Sequence, residues 1–179
     1  AAKIDASYLS PHVNLSSRLE TAAEELGVGL VMSGDAWNVL SPDYKRACRL
    51  IDCVTIRGGT DPTYLYTHDR VSCQPIEELK PGLMEMPGAK EAHKRKFRAR
   101  RGSFVFEQLK DQSAIQTYRA KFEKGTKAYL AGQWRDAASI LAECHNICPR
   151  DQPARAILSY MAKLSFVSPD DWAGHRPLL

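Results

Sequence analysis

Two polar side chains with chemistry to offer, Asn14 and Arg18, stand four positions apart in the stretch Ser7 to Glu20, SYLSPHVNLSSRLE. Four residues is about one helical turn, so a carboxamide and a guanidinium fall on one face and both can reach a single anionic, oxygen-rich ligand near the helix start. The same spacing also suits an ordinary solvated face, with Arg18 paired to a neighbouring acid. The flanks specify the helix. Ser10 is a good N-cap, Pro11 fits a first helical position that needs no N–H, and Gly27 is a natural left-handed stop. Between them Val13, Leu15, Leu19, Ala22, Ala23 and Leu26 recur near helical spacing and predict the buried stripe.

The longer phrase SPHVNLSSRLETAAEELGVGLVMSGDAWNVL and the later CVTIRGGTDPTYLYTHD closely resemble the second half of the catalytic domain of class III adenylate and guanylate cyclases. The matching pieces follow that family's order at close to its spacings. KIDASYLSP is most similar to the branch common in large protist membrane cyclases. The resemblance implies that Asn14 and Arg18 are catalytic, acting on the ribose oxygen and the phosphates in the transition state. It implies that Arg57, before Gly58, binds the terminal phosphates; the family more often has Lys there, and the charge is kept. An acidic residue that reads the purine edge commonly precedes the Asn by seven positions, which here is Ser7. Asp5 therefore takes that substrate-binding role only through a two-residue insertion. The other readings are altered base recognition, or an Asp that caps a turn at a strand end.

Family enzymes hold two Mg or Mn ions on two aspartates from strands that precede this region, and the ions activate the ribose 3′-oxygen and neutralise the phosphates. Asp35, Asp43 and Asp52 stand in the wrong places to replace those ligands, so no metal site is expected within this chain and the chain alone should not turn over. Each family active site takes its aspartates from one catalytic domain and its Asn and Arg from another. A second cyclase domain is the expected partner, with ATP or GTP as substrate and a 3′,5′-cyclic nucleotide and pyrophosphate as products. A non-catalytic, cyclase-like structural or regulatory subunit is the alternative.

Behind these residues the chain must supply a scaffold, and 179 residues with 44% hydrophobic side chains suffice for one domain or two small ones. No run of about 18 apolar residues and no charged-then-apolar leader occurs, so this segment reads as soluble, and the resemblance implies the cytoplasmic side of a membrane protein. KIDAS reads as a strand entered partway, which suggests a fragment. Five cysteines at irregular spacing argue for reduced thiols. Cys144, His145 and Cys148 lack a second ligand pair, which favours buried thiols over zinc.

Val28 to Ser33 is predicted as a buried strand, Ser33 as the cap of a short helix through Leu40, and Ser41–Pro42–Asp43 as the start of another. Arg49 to Arg57 alternates as a strand, Gly58, Gly59, Asp61 and Pro62 turn the chain, and Thr63 to Thr67 returns with Tyr64 and Tyr66 on one face and Leu65 on the other. Residues 1–69 thus read as α+β, helices on a mostly antiparallel sheet, and the resemblance makes them part of a ferredoxin-like cyclase domain. Residues 70–111 read as a linker rich in Pro and Gly that carries the basic run HKRKFRARR, His93 to Arg101. Such a run is a solvated linker or a contact for an acidic partner or an anionic membrane surface. Nucleic acid is disfavoured, because no nucleic-acid-binding fold signature accompanies the run and Phe97 is its single aromatic.

Residues 112–179 turn helical. Ile115, Tyr118, Phe122, Ala128, Tyr129 and Leu130 form one apolar face, Gly132 closes that helix, and Trp134, Ala137, Ala138, Ile140 and Leu141 form the next. Pro149 ends it, and a third helix is predicted over Gln152 to Leu164. The stretch from Phe122 to Leu158 resembles a tetratricopeptide-type helical hairpin with part of a third helix. One repeat cannot bury its own face, so this all-α extension must dock on the cyclase half or on another chain. Tyr118, Phe122, Tyr129 and Trp134 seek cover, an argument for association, and Trp172 resembles the Trp-Gly ending seen after many cyclase domains of this branch.

Overall fold

The structure, a computed structural model, describes residues 11–56, 61–69 and 112–178. Asp5, Arg57 and the basic run from His93 to Arg101 lie outside the described residues. Helix α1 spans Pro11–Glu25, and Gly27, at φ 60°, carries the chain out of it. Leu26 N–H still bonds to Ala22 O at 2.9 Å and Val28 N–H reaches Ala23 O at 3.0 Å, the left-handed stop that a glycine permits. Strand β1 (Met32–Ser33) follows, then α2 (Gly34–Asn38), α3 (Pro42–Ala47), β2 (Cys48–Thr55) and β3 (Pro62–His68). The Ser33 hydroxyl accepts from Ala36 N–H at 3.3 Å, as its cap position predicts. The strand expected over Val28 to Ser33 is pared to two residues. Thr67 Oγ1 donates to Leu30 O at 2.8 Å, so a side chain holds the approach where a ladder was expected.

The C-terminal segment adds α4 (Gln112–Leu130), α5 (Trp134–Ile147), α6 (Gln152–Lys163) and the two-residue strand β4 (Arg176–Pro177). Among the described residues the protein is therefore α+β, with a four-stranded sheet in the order β1-β3-β2-β4. The β1–β3 and β2–β3 pairs are antiparallel, whereas β4 lies parallel to β2, pairing Arg176 with Val54 and Pro177 with Thr55. The sheet is thus mixed. Leu50 faces Tyr66 and Asp52 faces Leu65, which leaves Ile51 as the extra residue of a bulge. The bulge breaks the alternation of β2, and Ile51 and Asp52 are both fully buried.

Tyr118, Phe122, Tyr129 and Trp134 are buried within this same chain. Of the two covers expected for that face, the preceding α+β segment or another chain, the structure shows the first: α4 and α6 pack on β2, and one apolar cluster runs from Ala22, Leu26, Ile51 and Leu65 through Phe122, Leu141, Ala154 and Ile157. At the α4–α5 crossing a side chain on Gly125 would put its Cβ 2.9 Å from Leu141 Cγ, so the absence of one permits the approach. Trp172 closes the far end, donating Nε1–H to Leu130 O at 3.1 Å with its ring 5.0 Å from that of Trp134. No helix among the described residues is long and apolar enough to cross a membrane.

Candidate functional site

Helix α1 divides its two sides between two tasks. On one side Ala22 and, just past the helix, Leu26 are fully buried, and Leu15 and Leu19 pack partly against the same core. On the neighbouring flank Asn14 is exposed and Arg18 is half-buried, and neither side chain makes a hydrogen bond or ion pair to another described residue. Val13, expected in the apolar stripe, is 50% exposed. Four residues of α-helix rise about 6 Å, so the Asn14 amide and the Arg18 guanidinium can both grip one ligand approaching that open side. Asp5 and Arg57, the two expected substrate-binding residues, fall outside the described residues, and their distance from Arg18 is not part of the geometry.

Compared with family models, curated proteins and solved structures, the chain matches none.

The strongest polar constellations of the structure lie elsewhere, on β2. Arg49 donates to both carboxylate oxygens of Asp151 at 2.8 Å and, through Nε, to Asp69 at 3.2 Å. Its guanidinium also lies 4.2 Å from the centre of the Phe122 ring. The Tyr118 hydroxyl donates to the same Asp151, and Arg119 places Nε 3.0 Å from Asp69 while donating to the backbone carbonyl of Arg46 at 2.8 Å. Burial alone would lower the affinity of Arg49 for its proton, but Asp151 and Asp69 hold it well above the ordinary value. Burial, with Asp151 adding to it, drives the Tyr118 hydroxyl upward. Every charge of this cluster has its partner inside the protein, so the cluster fastens the helical extension to the sheet and offers nothing to a ligand.

A second fastening uses Asp52, one of the aspartates set aside as a metal ligand. Arg176 Nε donates to its Oδ2 at 2.8 Å, and Cys53 N–H donates to its Oδ1 at 2.8 Å. Burial pushes this carboxyl up, against the opposing pull of Arg176. Asp43 is paired with Arg46, and no group of three His, Cys, Asp or Glu among the described residues is arranged to hold a metal ion. Cys48, Cys53, Cys144 and Cys148 are free and buried, and burial pushes Cys53 and Cys144 up to about 11. Those thiols are poor nucleophiles and poor ligands at neutral pH.

Sequence reasoning missed both fastenings. A signal existed in β2, CRLIDCVT, where two opposite charges interrupt an otherwise apolar buried strand and therefore demand partners. Asp151 stands at the N-cap of α6, but its carboxylate makes no cap hydrogen bond and goes to Arg49 instead.

Proposed function

We propose that this chain is the C-terminal part of a class III purine nucleotide cyclase, with ATP the first substrate to test and GTP the second. The observation that supports the reading is the two-sided use of α1: Leu15 and Leu19 of the VNLSSRLE phrase rest partly on the core, while the Asn14 and Arg18 side chains have no partner among the described residues. In this reading Arg18 spreads its guanidinium across phosphate oxygens as negative charge grows there, and Asn14 orients the ribose oxygen. Arg57 adds a second cation for the terminal phosphates, and Asp5 reads the purine edge. Aspartates of a partner catalytic domain would hold two Mg or Mn ions, which when bound would activate the 3′-oxygen and neutralise phosphate charge. The finer fold assignments belong to the same reading: a partial ferredoxin-like cyclase domain, then a tetratricopeptide-like hairpin, on the cytoplasmic side of a membrane protein. The basic run remains a candidate for an anionic membrane surface or an acidic partner.

The second reading, a cyclase-like structural or regulatory subunit without turnover, draws support from the buried Arg49–Asp151 and Asp52–Arg176 pairs, which make sheet and extension one firm body. One experiment separates the two. The chain is combined with a separately expressed cyclase domain that carries the metal-binding aspartates, and formation of cyclic AMP and cyclic GMP is followed. Arg18→Ala and Asn14→Ala should each lower kcat by about 10²–10³ while leaving the thermal midpoint in place. Turnover that ignores both substitutions refutes the catalytic reading.

A further inference from the structure

The left-handed stop of α1 is also a point of contact. A Cβ on Gly27 would lie 2.4 Å from Gln152 Cγ and 2.7 Å from Gln152 Cβ, so the backbone at the end of α1 sits directly against the first residue of α6. Gln152 is itself held, because its neighbour Asp151 is fully buried and fixed by Arg49 of β2 and by Tyr118 of α4. Just inside the contact, Leu26 and Ala22 are buried in the same cluster as Ala154 and Ile157 of α6. Farther along α1 stand Asn14 and Arg18, whose side chains have no partner among the described residues. Helix α1 is thus gripped at its C-terminal end, rests on the core through Leu15 and Leu19, and bears its polar pair on the flank.

We infer that the Gly27–Gln152 contact is a positioning joint through which the helical extension sets the direction of α1, and with it the placement of Asn14 and Arg18. The role in turnover rests on the cyclase reading; the mechanical coupling does not. A helix rises about 1.5 Å per residue, so Arg18 stands roughly 13 Å and Asn14 roughly 20 Å along the lever from Gly27. A tilt at the joint therefore moves the polar pair further than it moves the joint, and a misplacement of about 1 Å at a reacting centre can cost 10²-fold in rate. Gly27 and Gln152 touch no substrate. Their effect is carried by the helix.

The test is a compensation. Asn tolerates left-handed backbone, so Gly27→Asn introduces the clash with Gln152 while sparing the helix stop. In the 179-residue chain, amide exchange across residues 12–25 should rise about tenfold in Gly27→Asn, as local opening becomes easier, and return toward the parent rate in Gly27→Asn/Gln152→Gly. Gln152→Gly alone, which loosens the joint without crowding it, should raise α1 exchange to a lesser degree and covers the case in which Gly27→Asn does not fold. Combined with the metal-bearing domain, Gly27→Asn should lose about 10- to 100-fold in kcat and the double variant should recover it, even though a glycine at the start of α6 lowers its thermal midpoint. Alpha1 exchange that is unmoved by either single variant, or not restored by the second change, overturns the joint. So does restored exchange without restored kcat in an active complex. A parent chain that never turns over refutes the cyclase reading, and the exchange result still decides the coupling.

Discussion

Arg49 and Asp151 are separated by 102 positions in the chain and meet through two parallel hydrogen bonds of 2.8 Å, buried on both sides. Bidentate geometry and a second carboxylate, Asp69, let the guanidinium survive out of water. Removing one partner is much worse than removing both, since the remaining charge stays buried without compensation. Asp151→Ala should therefore cost about 3–5 kcal/mol in urea unfolding, and Arg49→Met/Asp151→Leu should lie closer to the parent than Asp151→Ala does. A loss under about 1 kcal/mol for the single change would mean that the pair is solvated in solution.

Because one apolar cluster crosses from α1 and the sheet into α4, α5 and α6, both segments should unfold together. Trp37 stacks on Tyr66 at the sheet and reports one segment; Trp134, packed on Tyr129 and Tyr160, reports the other. Single-tryptophan variants followed by fluorescence in urea should give coincident midpoints. Two separated transitions would show that the extension docks only weakly.

The tail strand β4 matters through one side chain. Arg176→Ala leaves the Asp52 carboxylate fully buried with only the Cys53 amide as partner, and should lower stability by about 3 kcal/mol. Asp52→Asn in the same chain removes the stranded charge and should recover part of the loss. If Asp52→Asn instead deepens the loss, the carboxylate has found another partner and the assignment of Arg176 fails.

The buried thiols give stability a dependence on alkaline pH. An unfolded cysteine releases its proton near 9.0, whereas Cys53 and Cys144 hold theirs to about 11. Their folded values are raised, so this contribution is fully present below pH 9.0 and is lost as pH climbs toward 11. Tyr118 and Tyr129, also driven up by burial, act in the same direction at higher pH. Urea midpoints should fall as pH rises from 9.0 toward 11, and Cys53→Ala/Cys144→Ala should flatten the fall.

The legible parts of the chain were those written in local signals. Ser33, Pro42 and Gly27 mark element ends through capping chemistry and backbone freedom confined to one or two residues, and the elements begin or stop where these residues stand. The periods of α4, α5 and α6 were equally plain, since helices of 12 to 19 residues repeat their pattern several times. Strand β4 has only two residues and no period to read, and its partner Val54 is fixed by the folded chain rather than by sequence neighbours. The Ile51 bulge shows in pairing, not in residue type. At the candidate site the spacing of Asn14 and Arg18 was visible, but the contact of Gly27 with Gln152 was not: a glycine that ends a helix and a glycine that receives a side chain look the same in one dimension.

The fastening of Asp52 by Arg176 spans 124 positions, and this sets a schedule for synthesis. A ribosome adds roughly 5–20 residues per second, so β2 emerges about 6–25 s before the cation that neutralises its aspartate. Arg49 waits almost as long for Asp151. Throughout that interval the nascent sheet carries two opposite charges it cannot bury, and the β2–β3 hairpin has little reason to close over them. Helix α1, whose apolar side needs the same core, is held in abeyance too. Completion of the sheet thus waits on residues made long after it, and a chain stalled short of Arg176 would present an unfinished sheet to whatever guards the ribosome exit.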